Sequence, residues 1–115
     1  MKVMALIYGD ERRWESATED ERNAVYARYR TFGELADGKV VDGAELAPTR
    51  TATTVRVRSG ETIVTDGPFA ETKEQLGGFY VLDVGSLEEA AELAARIPGA
   101  ETGAVEIRAA HEQES

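Results

Sequence analysis

The sequence predicts one α+β domain in which two strand–helix–strand halves share a sheet and a β-hairpin is inserted between them. Three observations predict it. Two runs, Val3–Tyr8 and Phe79–Val84, carry apolar residues on both alternating faces, as central strands covered on both sides do. Two amphipathic stretches each open on a capping-box pattern, Thr18-Glu19-Asp20-Glu21 and Ser86-Leu87-Glu88-Glu89. Between the halves, Ser59-Gly60 separates two β-branched runs, which is a hairpin signal.

Taken in order, Met1-Lys2 leads into the first apolar run, and Gly9-Asp10 ends it. A polar loop follows that holds Trp14, the only tryptophan, either a hydrophobic lid on the core or a ligand-stacking wall. The first helix begins with Thr18 as N-cap, places Val25, Tyr29, Phe32 and Ala36 on one stripe, and stops at Gly38. Tyr26 and Tyr29 belong by default to a core or an interface, with a pocket wall as the alternative. Val40–Pro48 reads as a bent or edge strand because of its glycine and mixed polarity. In the hairpin strands Thr53–Arg58 and Glu61–Thr65, Val55 and Val57 alternate with Arg56 and Arg58, which predicts a buried valine face and a solvated arginine face. After Phe79–Val84, Ala90, Leu93, Ala94 and Ile97 mark a second amphipathic helix that Pro98-Gly99 terminates. Val105 and Ile107 alternate with charge in the last strand, and residues 111–115 form a polar tail behind a single domain at 1–110.

This strand order is the ferredoxin-like βαββαβ arrangement with an added hairpin. Two helices cover one face of such a sheet, yet two of its strands are apolar on both faces. The economical cover for the second face is another copy, so a homodimer is expected.

Composition narrows the function. The 115 residues carry 22 acidic against 13 basic side chains, a formal net charge of −9, which argues against a nucleic-acid or anionic-membrane surface. No Cys is present, so there is no disulfide, thiolate nucleophile or zinc ribbon. The N-terminal apolar run is too short for a signal peptide, no stretch approaches membrane-spanning length, and a cytoplasmic location is expected. With one histidine, His111, placed in the polar tail, no transition-metal site or Ser–His–Asp set can be assembled, and no cofactor is expected.

Chemistry concentrates in Asp66–Gly78, a Pro-containing turn, a charge cluster and a double glycine between two strands. One reading is an Asx-type turn with solvated charges. The other is a ligand pocket, with Asp66 as acid/base, Lys73 as electrostatic anchor, Pro68, Phe69 and Glu71 as its wall, and Tyr8 or Tyr80 as hydrogen-bonding partners. Gly77-Gly78 permits either a close approach of the backbone or a bulge at the start of the following strand.

The stretch Val64-Thr65-Asp66-Gly67-Pro68-Phe69-Ala70-Glu71-Thr72-Lys73-Glu74-Gln75-Leu76-Gly77-Gly78-Phe79-Tyr80 resembles the signature of the DGPF family, part of the YCII-related group. The likeness extends to Tyr8-Gly9-Asp10-Glu11 with Trp14, Thr51–Arg56, Ala94–Pro98 and Val105–Arg108. It implies a ferredoxin-like domain that dimerises into an α/β barrel. Relatives in the wider group include small enzymes acting on ring compounds such as chlorinated hydroquinones through a His–Asp pair, with the histidine on or near the first helix. Thr18–Gly38 contains no histidine, so that pair does not carry over. Members are often encoded near extracytoplasmic-function sigma factors, which implies an accessory or regulatory role as the rival. The leading expectation is a small-molecule-binding protein near Asp66–Gly78, of the cofactor-free lyase or isomerase kind if it is an enzyme. In that case Asp66 moves a proton and Lys73 stabilises developing negative charge. A third expectation is that the stretch only shapes the dimer.

Overall fold

The computed structural model describes residues 1–111. Strand β1 is Lys2–Gly9, followed by helices α1 (Glu11–Ser16) and α2 (Glu19–Leu35) and strand β2 (Val40–Glu45). After a 3-10 turn at Thr49–Thr51 come β3 (Thr53–Arg58), β4 (Glu61–Asp66) and β5 (Gln75–Asp83). Helix α3 (Leu87–Ala94), a short α4 (Gly99–Thr102) and β6 (Ala104–Ala109) complete the chain. Four strands form an antiparallel sheet in the order β2-β5-β1-β6, while β3 and β4 pair only with each other. This mixed α+β architecture is consistent with a ferredoxin-like fold. The sheet is open, with β2 and β6 as its edges, so the single chain closes no barrel. Of the tail expected at 111–115, His111 is exposed and the rest lies outside the described residues.

Local chemistry explains the elements. At α2 the capping box is complete: Thr18 Oγ1 accepts from the Glu21 N–H at 3.1 Å, and the Glu21 carboxylate accepts from the Thr18 N–H at 3.1 Å. That backbone N–H is the main reason the Glu21 carboxyl is held below its ordinary pKa. At α3 the box is half made. Ser86 accepts from the Glu89 N–H at 3.1 Å, but the Glu89 carboxylate turns to the Gly85 N–H and to Lys39. The helix also stops at Ala94, earlier than the apolar stripe suggests, and Ile97 reaches the core from the turns that lead into α4.

The core fills one side of the sheet. Val3, Ala5 and Leu82 from the strands meet Phe32, Ala36, Ala90, Ala94 and Ile97, all buried. Val25 and Tyr29, earlier on the α2 stripe, are only half-buried. On the other side, strand alternation places Met4 and Leu6 opposite Val81 and Phe79, and no helix covers them. All four are half-buried.

The hairpin turn has Ser59 at φ 50° and Gly60 at φ 80°, the two left-handed residues that a tight two-residue connection demands. Its faces differ from the expectation of a buried valine side: Val55 and Val57 are 61% and 59% exposed, whereas Arg56 is half-buried. The ribbon lies outside the four-stranded sheet, so its own chain supplies no cover for the valines.

Glycine allows two close approaches that set the sheet. A Cβ on Gly103 would lie 2.0 Å from the Tyr8 carbonyl oxygen, and one on Gly43 would lie 2.7 Å from Tyr80 Cδ1. We expect Gly103→Ala to lower unfolding free energy by about 2 kcal/mol or more in urea titrations, through forced displacement of β1 from β6. Gly33→Ala, in the interior of α2 where a Cβ meets nothing within 4 Å, should raise it by about 0.5–1 kcal/mol. Equal effects of the two substitutions would contradict this packing.

Candidate functional site

Trp14 is set by α1, a helix in a segment that reads as a loop from its polar composition. Asp10 caps it by accepting from the Arg12 N–H at 3.0 Å, and that bond is the main cause of the lowered Asp10 pKa. Its last carbonyls are satisfied from α2, since Arg22 Nε donates to Trp14 O at 3.1 Å and Arg22 Nη2 to Glu15 O at 2.8 Å. The guanidinium then lies 5.7 Å from the Trp14 ring centroid, and the indole meets Tyr26 edge-on at 5.4 Å. Glu11, at the start of α1, accepts from both the N–H and the hydroxyl of Thr49 at 2.7 Å, and its own N–H donates to Gln75 Oε1 at 3.0 Å. These bonds tie α1 to the segment after β2 and to the head of β5.

Between α1, the N-terminal half of α2 and the sheet lies a cavity of about 860 Å³. All four tyrosines and the only tryptophan line it. Ile7, Gly43, Glu45 and Gly99 lie along its floor and rim, together with the carboxyl residues Asp10, Glu11, Glu15 and Glu21.

Three phenols carry the polar chemistry. Tyr26 donates its hydroxyl to Glu45 Oε1 at 3.0 Å. Tyr29 accepts at its hydroxyl oxygen from the Gly99 N–H at 3.2 Å, leaving its own proton available to donate. Tyr80 packs its ring against Phe32, centroids 5.2 Å apart, and lies over Gly43. Burial raises the pKa of all three above the ordinary tyrosine value, and Glu45 adds to the shift at Tyr26 and Tyr29. They are therefore neutral hydroxyls around neutral pH.

The structure divides the residues expected at the site. Tyr8 and Tyr80 line the cavity, as do Gly77 and Gly78 from the end of the central stretch. Asp66, Pro68, Phe69, Glu71 and Lys73 do not line it, and all five are exposed, Phe69 at 79%. Residues 67–74 form an irregular loop that carries Glu71, Lys73 and Glu74 outside any helix or strand. Gly67 takes φ 97°, and its N–H donates to Ala52 O at 2.7 Å while Thr54 Oγ1 donates to its carbonyl at 2.8 Å, which fixes where β4 ends. The double glycine does make a bulge: Ile7 pairs with Gly78 and Tyr8 with Leu76, leaving Gly77 as the extra residue.

Trp14, Tyr26 and Tyr29 line the cavity, which makes the pocket-wall alternative the one the geometry favours. Glu45 and Gly99 have no signal of their own in the sequence. The nearest one is the aromatic content of the first long helix, which faces a strand ending in a carboxylate. Among the described residues, no helix is long and apolar enough to cross a membrane, and no group of His, Asp and Glu is arranged to hold a metal ion.

The YCII-related domain family matches residues 1–112 of this sequence. An uncharacterised protein of Rhizobium meliloti (strain 1021) is 47% identical over 118 aligned positions, covering 94% of this chain and 90% of the relative.

Raised tyrosine pKa values have a signed consequence. Below the ordinary value of 10.0 the phenols are protonated in both states; above it the unfolded chain releases protons that the folded chain keeps. Stability should therefore fall as pH climbs through 10.0 towards the folded-state values. Urea midpoints compared at about pH 9 and about pH 11 should show a smaller alkaline loss in the Tyr29→Phe, Tyr80→Phe double variant. An unchanged loss would put these phenols in solvent.

Proposed function

The chain belongs to the YCII-related domain family, and from that premise we propose that it binds a small, ring-bearing molecule in the cavity between α2 and the sheet. The supporting observation is the concentration of every tyrosine and the sole tryptophan around one space of about 860 Å³, a size within the range of small-molecule sites. Flat aromatic walls favour a ring, and the neutral hydroxyls give it orientation. The Asp66–Gly78 signature supports placement in the DGPF branch, and the relatives' activity on ring compounds accords with this ligand class. If the protein is an enzyme, a cofactor-free lyase or isomerase suits the groups on offer.

Trp14 is the only tryptophan, so its emission reports on the cavity directly. A panel of monocyclic and bicyclic aromatic compounds should contain members that both shift Trp14 fluorescence and raise the melting temperature, with Tyr26→Ala weakening them about tenfold or more. Ligands that raise the melting temperature without changing the emission would place binding elsewhere.

A second reading concerns the Asp66–Gly78 stretch and rests on a different observation. Asp66 and Lys73 make no side-chain hydrogen bond or ion pair among the described residues, and the ribbon that leads to them exposes Val55, Val57, Ile63 and Val64. The sheet of the same chain leaves Met4, Leu6, Phe79 and Val81 without a helix over them. Two such chains, sheet face to sheet face, cover these residues and produce a barrel around a two-fold axis. In that homodimer the stretch shapes the interface, and Asp66 and Lys73 reach a ligand only across it. An accessory role beside a sigma factor would use the same exposed ribbon. Size exclusion with light scattering should give a dimer at micromolar concentration, and Val57→Lys with Val64→Lys should shift it towards monomer. A wild-type monomer would refute the assembly.

A further inference from the structure

We propose that the cavity is built to enolise a ring ketone, with Tyr29 and Tyr80 donating hydrogen bonds to the carbonyl oxygen and Glu45 taking a proton from the adjacent carbon. The inference rests on the reading of the cavity as a ligand site and adds the reacting group.

Its basis is the placement of three groups by three elements. Tyr26 and Tyr29 are three residues apart on α2 and so share a helix face. That face looks onto β2 and β5, where Gly43 pairs with Tyr80 and Glu45 with Gly78, which puts Glu45 on the same side as Tyr80 and one diagonal step away. Tyr26 donates to Glu45 Oε1 at 3.0 Å and thereby holds the carboxylate at the cavity rim. No protein donor among the described residues engages Oε2, so that oxygen keeps its lone pairs for a substrate proton. Tyr26 is thus a positioning residue.

The two donors are prepared differently. The Gly99 N–H donates to Tyr29 Oη at 3.2 Å, which directs the phenol's own proton away from the backbone and strengthens it as a donor. A Cβ at residue 99 would come within 2.9 Å of that oxygen, so glycine is what lets the backbone reach it. Tyr80 Oη has no protein partner among the described residues, although its ring is anchored by Phe32. Burial keeps both phenols protonated, and Tyr29 raises the Tyr80 pKa further. Both tyrosines line the one cavity, and two neutral hydroxyls that donate to one substrate oxygen stabilise the charge that develops there.

The step balances without any further reactant. A C–H proton next to the carbonyl passes to Glu45 Oε2, the C–H electron pair becomes the new C=C bond, and the carbonyl π pair moves onto oxygen. The enolate oxygen then holds the negative charge between the two phenol protons. Where the ring ketone carries a C=C bond next to that carbon, the intermediate is a dienolate, and return of the same proton to its far carbon completes an isomerisation that moves the C=C bond.

Phenolates mimic the enolate, which makes the test direct. Binding of 4-nitrophenolate and of 4-nitroanisole, its methyl ether, is measured by Trp14 fluorescence and by the absorbance of the probe. The wild type should prefer the phenolate, and Tyr29→Phe and Tyr80→Phe should each weaken it about tenfold while leaving the ether unchanged. Glu45→Gln should tighten the phenolate several-fold, because it removes a like charge and imitates the base after proton uptake. A purely structural Glu45 would not do this. For the proton step, deuterium exchange at the α-carbons of 2-tetralone in D2O should be faster with wild type than with Glu45→Gln. Equal phenolate and ether affinities, or phenolate binding indifferent to both tyrosine substitutions, overturn the oxygen site while leaving the cavity reading intact. Exchange equal in wild type and Glu45→Gln overturns the base. If neither probe binds at millimolar concentration, the cavity reading falls as well.

Discussion

Helix α2 is held to the sheet through its C-terminal half, and much else follows from that single contact. Phe32 is 2% exposed and Ala36 fully buried, with Phe32 seated against Tyr80 and beside Leu82, Val3 and Ile97 in the core. One turn earlier the helix gives up close packing: Tyr29 is half-buried and Tyr26 38% exposed, and the space below them is the cavity. A fully buried aromatic such as Phe32 carries a large share of the apolar surface that α2 removes from water. The rest of the helix is thereby free to serve as a wall.

Polar bonds tie that wall to its neighbours. Arg22 bridges from α2 to the end of α1, Tyr26 bonds Glu45 on β2, and Tyr29 bonds the backbone of α4. Each tie reaches a different element, so the helix is braced on three sides. Glycines at 43 and 99 let backbone and ring approach closely where a Cβ would intrude. Two of these bonds also fix the positions of the Tyr26 and Tyr29 hydroxyls at the cavity.

The opposite face of the sheet obeys a different constraint. Its central strands offer Met4, Leu6, Phe79 and Val81 without a covering layer, and the hairpin holds out valines beside half-buried Arg56. An isolated two-stranded ribbon is marginal in water without a further surface to pack on. The central stretch, with its exposed Phe69, continues from this ribbon and belongs to the same side of the question. Its long signature is thus divided: Gly77, Gly78 and Tyr80 line the cavity, whereas Asp66, Phe69 and Lys73 stay exposed beside the ribbon.

The order of the six strands and the two longest helices, the starts of those helices, the hairpin turn and the bulge at the double glycine were legible in the sequence, because each depends on residues a few positions apart. Thr18 with Glu21, Ser59 with Gly60, and the alternation along β1 act through local bonds and fixed side-chain periods. The helix α1 was hidden because its stability comes from Arg22 and Thr49 rather than from an apolar stripe of its own. The valine face of the hairpin was misassigned for a related reason: alternation shows that two faces differ, but which one finds a neighbour is a matter of tertiary placement. Asp66 and Lys73 drew attention by spacing, yet Glu45, Tyr29 and Gly99 are the groups gathered at the cavity. They lie on β2, α2 and α4, from 16 to 70 residues apart, and only the packing of α2 across the sheet brings them together.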